Sequence, residues 1–293
     1  MARARPDAPA PVTGTTRLRL DLGYDGGPFH GLARQPGLPT VQGTVEEALE
    51  GLLGVAVRTT ASGRTDRGVH ARAQVLHGDV PDALVPADLG RLARRLDRAL
   101  PRAITVHAVV RVPETFDARF SATERAYRFR LRDGVDPRVH GRGVARDAPD
   151  VWGVSDTLDV GAMRRASRVL VGEHDFAAFC RRAPGRTTVR RIDVLTLRRI
   201  GPGPGRIDVR LRGPAFCHQQ VRSIVGCLVE VGRGRRPEDW VAEVLAARDR
   251  SRAAPVAPPH GLTLEEVRFG RGIPASPPPG VRERSSRRCS GTG

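Results

Sequence analysis

The spacing of apolar residues switches period along this chain, and that alternation limits the fold more than any other feature. Leu18, Leu20 and Leu22 point one way and Arg17, Arg19 and Asp21 the other, which is the two-residue period of a strand. Val45, Ala48, Leu49, Leu52 and Leu53 then follow at helical spacing and stop at Gly54. Thr44 with Glu47 has the form of a capping box at their start. Strand-like runs come next at residues 55–60 and 73–80. Leu89, Leu92, Leu96 and Leu100 mark a second helix, and Ile104, Val106, Ala108, Val110 and Val112 alternate as a last strand. The order over residues 17–113 is βαββαβ.

Residues 114–269 repeat that order without obvious internal identity. A strand at 125–132 precedes a helix at 160–170 with Asp159 as its N-cap, and strands at 189–197 and 206–211 are joined by the Gly201–Gly205 link. Helices at 217–231 and 238–247 lead to a final strand at 262–268. Two split-βαβ units in tandem predict an α+β protein: two ferredoxin-like halves, 17–113 and 114–269, form antiparallel sheets with helices on one face and a cleft between them. Residues 1–16 lack the apolar stretch of a secretion signal, and residues 270–293 are rich in Pro, Arg and Ser; both are expected to be disordered.

Lys and Arg number 49 against 32 acids, a formal charge of +17, and every one of these cations is arginine. Coding bias explains the choice of arginine, and the sequence also lacks asparagine, but bias does not explain the surplus over acids. Guanidinium forks match phosphates, so a polyanionic partner such as nucleic acid is expected. Cys180, Cys217, Cys227 and Cys289 contain no C-x-x-C pair, which points to reduced thiols in a cytoplasmic protein and to neither a zinc site nor a disulfide framework. His70, His77, His174 and His218 lack metal-site spacing, and no P-loop or dinucleotide turn occurs, so neither metal nor cofactor is expected. No apolar run approaches the roughly 18 residues of a membrane span.

Between the second and third strands lies Gly63-Arg64-Thr65-Asp66-Arg67-Gly68-Val69-His70. One carboxylate beside two arginines on a glycine-flanked hairpin tip has the character of a catalytic group, because adjacent guanidiniums favour the charged form of a nucleophile or base. The same spacing fits an Asp-x-Gly turn with solvated arginines, and spacing alone does not separate the two. Tyr127 alternates with Phe129 and Leu131, which makes it a core aromatic by pattern.

The loop resembles the signature of the TruA family of tRNA pseudouridine synthases. Five further segments resemble that family in order: Tyr24-Asp25-Gly26 through Gly43, the run from Phe116 to Phe129, Gly172 to Phe176, Phe216 to Arg222, and Ala254 to Leu264. The resemblance implies two α/β halves around a catalytic cleft, isomerisation of uridine to pseudouridine at positions 38, 39 and 40 of the tRNA anticodon stem-loop, and a homodimer that holds tRNA. It implies Asp66 as the essential carboxylate, Arg64 as the residue that displaces the base, and Tyr127 packed on the target uracil. It implies further that Arg222 orients Asp66 and that Leu262 walls the uracil pocket. Leu32, Arg67, Asp97 and the Gln219-Gln220 pair depart from the family pattern; Arg67 is expected to point out of the pocket toward a phosphate. His218 is expected to line RNA or pack locally. A non-catalytic basic RNA-binding or RNA-folding protein, or a synthase with another RNA target, are the alternative readings.

Overall fold

Strand β1 (Thr15–Tyr24) runs between β3 (His70–Pro81) and β4 (Ile104–Arg111), antiparallel to both. The computed structural model describes residues 14–135, 150–181 and 185–273. The expected disordered ends therefore lie almost wholly outside the described residues, although β1 already begins at Thr15. Both faces of β1 are covered: Leu18, Leu20 and Leu22 enter the core, and Arg19 and Asp21 on the other face are also buried. That pair sits 2.9 Å apart, with the Arg19 guanidinium 5.6 Å from the Phe269 ring centre. The Phe269 ring thus helps cover a face that alternation alone would leave wet.

Helix α1 (Val41–Leu53) buries Val41, Val45 and Leu49, and Gly54 closes it at φ 74°. Its N-cap is Thr40, whose hydroxyl accepts from Gly43 N, and not the expected Thr44, which lies inside the helix. Glu46 leaves the helix to accept from both the backbone N–H and the hydroxyl of Thr59 in β2 (Thr59–Ala61). Asp88 caps α2 (Leu89–Ala99), and Asp97, a departure from the family pattern, accepts from Val106 N at 2.9 Å.

In the second half, β5 (Ala122–Arg132) pairs with β10 (Arg206–Gly213), which pairs in turn with β9 (Val194–Ile200). The short β6 (Trp152–Gly153) flanks β5. Asp159 caps α3 (Val160–Ser167) as expected. The single strand expected at 189–197 is broken at Asp193. Its first part, β8 (Val189–Ile192), pairs with β7 (Gly172–Asp175) in a separate ribbon. Helices α4 (Gln220–Gly232) and α5 (Trp240–Ala247) precede β11 (Leu262–Phe269).

The α+β class and the helix–strand order of the first half hold, the second half adds β6 and β7 to the expected strands, and the two expected sheets are joined into one. Strand β11 lies between the halves, antiparallel to β5 and parallel to β3, giving the order β4-β1-β3-β11-β5-β10-β9. Periodicity identifies strands without naming their neighbours, so this junction was out of its reach. Two apolar cores flank the junction. Phe129, Phe179, Ile224 and Leu262 belong to one, and Leu20, Val45, Leu76 and Leu264 to the other.

Candidate active site

The loop between β2 and β3 is held from four directions. Ser62 N donates to Val75 O at 2.9 Å, and Gln74 Nε2 donates to Gly63 O at 3.0 Å. The hydroxyls of Tyr24 and Thr65 lie 2.7 Å apart, and Leu32 N donates to Thr65 O at 3.1 Å. Gly31 makes that approach possible: its φ is +96°, and a Cβ there would stand 3.1 Å from Thr65 O and 3.3 Å from Arg67 N. Leu32, in place of the tryptophan usual in the family, is buried behind the loop. Val69 N closes back on Asp66 O at 3.1 Å, and Gly68 takes φ +78° to complete the turn.

This scaffold separates the three charged side chains of the loop. Arg64 and Arg67 are exposed and make no ion pair among the described residues, whereas the Asp66 side chain is only 23% exposed. Asp66 is therefore less open than a hairpin tip would suggest, because α4 packs over it. Arg222 on α4 donates through Nη1 to Asp66 Oδ2 at 2.6 Å and through Nε to Ala257 O at 2.8 Å. The sequence reading of Arg222 as the partner of Asp66 thus meets a direct contact.

The other carboxylate oxygen has a partner that the sequence reading missed. His218 Nε2 stands 3.0 Å from Asp66 Oδ1 with its side chain 48% exposed, so its contact is with the distant Asp66 loop and not merely local. Gln219 at φ 66° lies between His218 and the start of α4, an uncommon conformation for a residue with a Cβ and one that costs on the order of 1 kcal/mol. Gln220 Oε1 accepts from Cys217 N at 2.9 Å, so the Gln219-Gln220 departure shapes the turn that presents His218.

Two of the four cysteines prove to be neighbours. Cys180 and Cys217, 37 residues apart in sequence, are brought side by side with Cα atoms 5.8 Å apart, and Arg181 N donates to His218 O at 3.0 Å. Sequence spacing finds local cysteine pairs only, and this one is created by tertiary packing. Cys227 is free and buried, its thiol pushed up to about 11 by desolvation, while Cys289 lies outside the described residues.

Tyr127 lies on β5 with one side in the core and its ring edge-on to Phe216 at 5.2 Å. Both of its readings have a basis here: it packs in the core, and its hydroxyl is 4.0 Å from where a Cβ on Gly63 would stand. Burial pushes the hydroxyl well above the usual phenol range; Arg125 pulls it back, and Tyr24 and Asp66 push it further up. Leu262 pairs with Phe129 and Leu264 with Tyr127, so all four share one face of the sheet, and Leu262 is 6% exposed.

Arg125 is the second residue that was missed. Its buried guanidinium donates to four backbone carbonyls: Ser62 O, Arg119 O and Pro214 O at 2.6 Å each, and Ala122 O at 3.2 Å. One cation thereby joins the Asp66 loop, the 119–122 turn and the segment leading to His218. Its only sequence signal is an arginine at an inward position of a strand.

The histidines separate rather than converge. His70 Nδ1 lies 3.1 Å from Asp25 Oδ1, His77 Nδ1 accepts from Ala118 N, and a His174 ring nitrogen lies 3.1 Å from Val171 O. Among the described residues no cluster of His, Cys, Asp or Glu is arranged to hold a metal ion, and no helix is long and apolar enough to cross a membrane.

Residues 166–270 match the family described as tRNA pseudouridine synthase. The tRNA pseudouridine synthase A of Frankia casuarinae is 50% identical over 260 residues, covering 87% of this chain and 90% of that one. This chain belongs to the tRNA pseudouridine synthase family. The Streptomyces griseus synthase is 44% identical, covering 87% of this chain and 89% of its own, and that of Rhodopseudomonas palustris 43% identical, covering 86% and 98%. The archaeal box H/ACA sRNP Nop10-Cbf5 complex overlaps 73% of this chain and 44% of that one with 11% identity and a TM-score of 0.32, too loosely to bear on the fold. The fold thus brings together a carboxylate held by Arg222 and the exposed side chains of Arg64 and Arg67 on the same loop.

Proposed function

We propose that this protein isomerises uridine to pseudouridine in tRNA, at positions 38, 39 and 40 of the anticodon stem-loop. The observation that carries the reading is Asp66, hydrogen-bonded through one oxygen by Arg222 and approached at the other by His218 Nε2 at 3.0 Å, both from the opposite half of the chain. The reaction breaks the N1–C1′ bond, turns the uracil and forms a C5–C1′ bond; the C5 proton leaves and N1 takes one up. No electrons or groups come from outside. Asp66 supplies the carboxylate that acts on the ribose, at C1′ or at the 2′ proton. Tyr127 packs against the uracil with Leu262 as an apolar wall, and Arg64 fills the place of the displaced base, offsetting the few kcal/mol that extrusion costs. The reading extends to a cytoplasmic homodimer with tRNA as its partner.

Asp66→Asn keeps the size and polarity of the side chain and removes the carboxylate. Turnover should fall at least roughly 10³-fold, about 4 kcal/mol of barrier, while tRNA affinity holds, because removing a negative charge does not weaken attraction to phosphate. Release of label from C5-tritiated tRNA measures the rate. A variant with near-normal turnover would remove Asp66 from the chemistry. A non-catalytic RNA-binding protein would give no label release from the unmodified chain either.

A further inference from the structure

Among the described residues one large apolar side chain stands apart: Phe120 is 78% exposed, while the other exposed large apolar side chains lie between 36% and 44%. It does not sit on a loose loop. Asp117 Oδ1 accepts from Arg119 N at 2.7 Å and Phe120 N at 2.9 Å, Ser121 N donates to Asp117 O at 2.8 Å, and Asp117 N donates to Ser121 Oγ at 3.0 Å. Arg119 O is then bound by Arg125 Nη2, the same nitrogen that holds Ser62 O of the catalytic loop. A rigid turn tied to the Asp66 loop thus displays an aromatic ring to water, forgoing the stabilisation that burial would return.

The surroundings of the ring are cationic. The Arg119 guanidinium lies 5.1 Å from the Phe120 ring centre. Arg190 has a buried Nε without a hydrogen-bond partner, and burial together with the charges of Arg119 and Arg186 pushes its pKa down. No carboxylate among the described residues pairs with Arg119, Arg186 or Arg190. A bare ring beside Arg119, with Arg190 close enough to feel the charges of Arg119 and Arg186, matches a ligand with a flat unsaturated face and negative charges next to it. An unpaired nucleotide has both.

We propose that Phe120 is a stacking platform for an unpaired RNA base near the uridine that is isomerised, with Arg119, Arg186 and Arg190 holding the neighbouring phosphates. The proposal rests on the isomerase reading only for the identity of the RNA. Base–aromatic stacking contributes about 1–3 kcal/mol, or roughly 5- to 150-fold in affinity.

The test compares Phe120→Ala, Phe120→Leu and Phe120→Trp in the full chain, measuring the Kd for an anticodon stem-loop RNA and the single-turnover rate at saturating RNA. Phe120→Ala should raise Kd roughly 5- to 150-fold and leave the saturated rate within about threefold. Phe120→Trp should bind like the unmodified chain, with its indole fluorescence quenched by RNA, and Phe120→Leu should resemble Phe120→Ala. Unchanged affinity in Phe120→Ala, or full rescue by leucine, overturns the platform. So does a Phe120→Ala chain that loses self-association while each assembled copy binds RNA normally, since the ring would then face a second copy of the chain. RNA binding that depends on Phe120, with no pseudouridine formed, refutes the isomerase reading and leaves the platform standing. Normal isomerisation with Phe120-independent binding does the reverse, and a chain that binds no RNA loses both.

Discussion

Replacing Arg222 with glutamine tests how much of the activity resides in holding Asp66 still. Two unit charges about 4 Å apart at an effective dielectric near 20 interact by about 4 kcal/mol, an upper bound here because Asp66 is 23% exposed and water can replace part of the contact. A hydrogen bond to a charged group nets about 1.5–3 kcal/mol after that exchange. Loss of this amount from the transition state lowers kcat/KM roughly 10- to 150-fold. Affinity for tRNA should change little, because the Arg222 side chain is 12% exposed and already committed to Asp66 and Ala257 O. Arg222→Lys should fall between the two, since an ammonium does not reproduce the two-directional guanidinium contact. Release of C5 label at several tRNA concentrations separates the terms, and thermal melting checks the fold, which should lose about 1 kcal/mol with the Ala257 bond. A folded glutamine variant with an unchanged rate, or a loss explained wholly by weaker binding, would refute the positioning role.

The remaining predictions concern charge elsewhere. Arg67 is exposed beside Asp66 and has no ion-pair partner among the described residues, so Arg67→Ala should keep most of the turnover at saturating tRNA while weakening affinity; its log–log salt slope should be shallower by about 0.7–0.9, the loss of one phosphate contact, and collapse of turnover at saturation would place Arg67 in the chemistry. Asp133 is enclosed, which alone would raise its pKa, but Arg199, Leu158 N and Gly205 N donate to it and hold it below the usual carboxylate range. That stabilisation is complete above an unfolded-state pKa near 4 and fades as pH falls through the lower folded value. Asp133→Asn should therefore melt earlier at neutral pH, by about 3–5 kcal/mol for a broken buried pair, and show a flatter acid limb below about pH 4; identical acid profiles would remove Asp133 from the balance.

What the sequence disclosed depended on whether the signal was local. The βαββαβ order of the first half, the cap at Asp159 and the hairpin around Asp66 come from neighbours within a few residues, and each is found in place. Thr44 was misread as a cap because Thr40 offers the same hydroxyl one turn earlier, and only the position of the first buried turn decides between them. Arg19 and Asp21 were assigned to the outer face because alternation records the period of a strand and not what later covers it. The same limit hid the Cys180–Cys217 pair, the four-carbonyl grip of Arg125 and the approach of His218 to Asp66. The Asp66–Arg222 contact spans 156 residues and was legible only through resemblance, because no periodicity links a hairpin loop to a helix so far away.

The position of β11 gives a physical reason for the site to lie where it does. A carboxylate on a hairpin of the first half has to meet an arginine and a histidine at the start of a helix in the second, and two separately folded sheets would leave that distance to a flexible linker. Strand β11 removes that freedom by pairing with both halves, and its parallel contact with β3 is confined to Thr263 with His70 and Leu264 with Ala71. His70 and Ala71 are the first residues of β3 after the Asp66 loop. The junction is thus placed at the root of the Asp66 hairpin, while Ala257, in the segment leading into β11, accepts from the Arg222 side chain and donates its N–H to Arg222 O. One closing segment sets the sheet register on one side and the orienting arginine on the other. The geometry around Asp66 is therefore a property of the joined sheet and belongs to neither half alone.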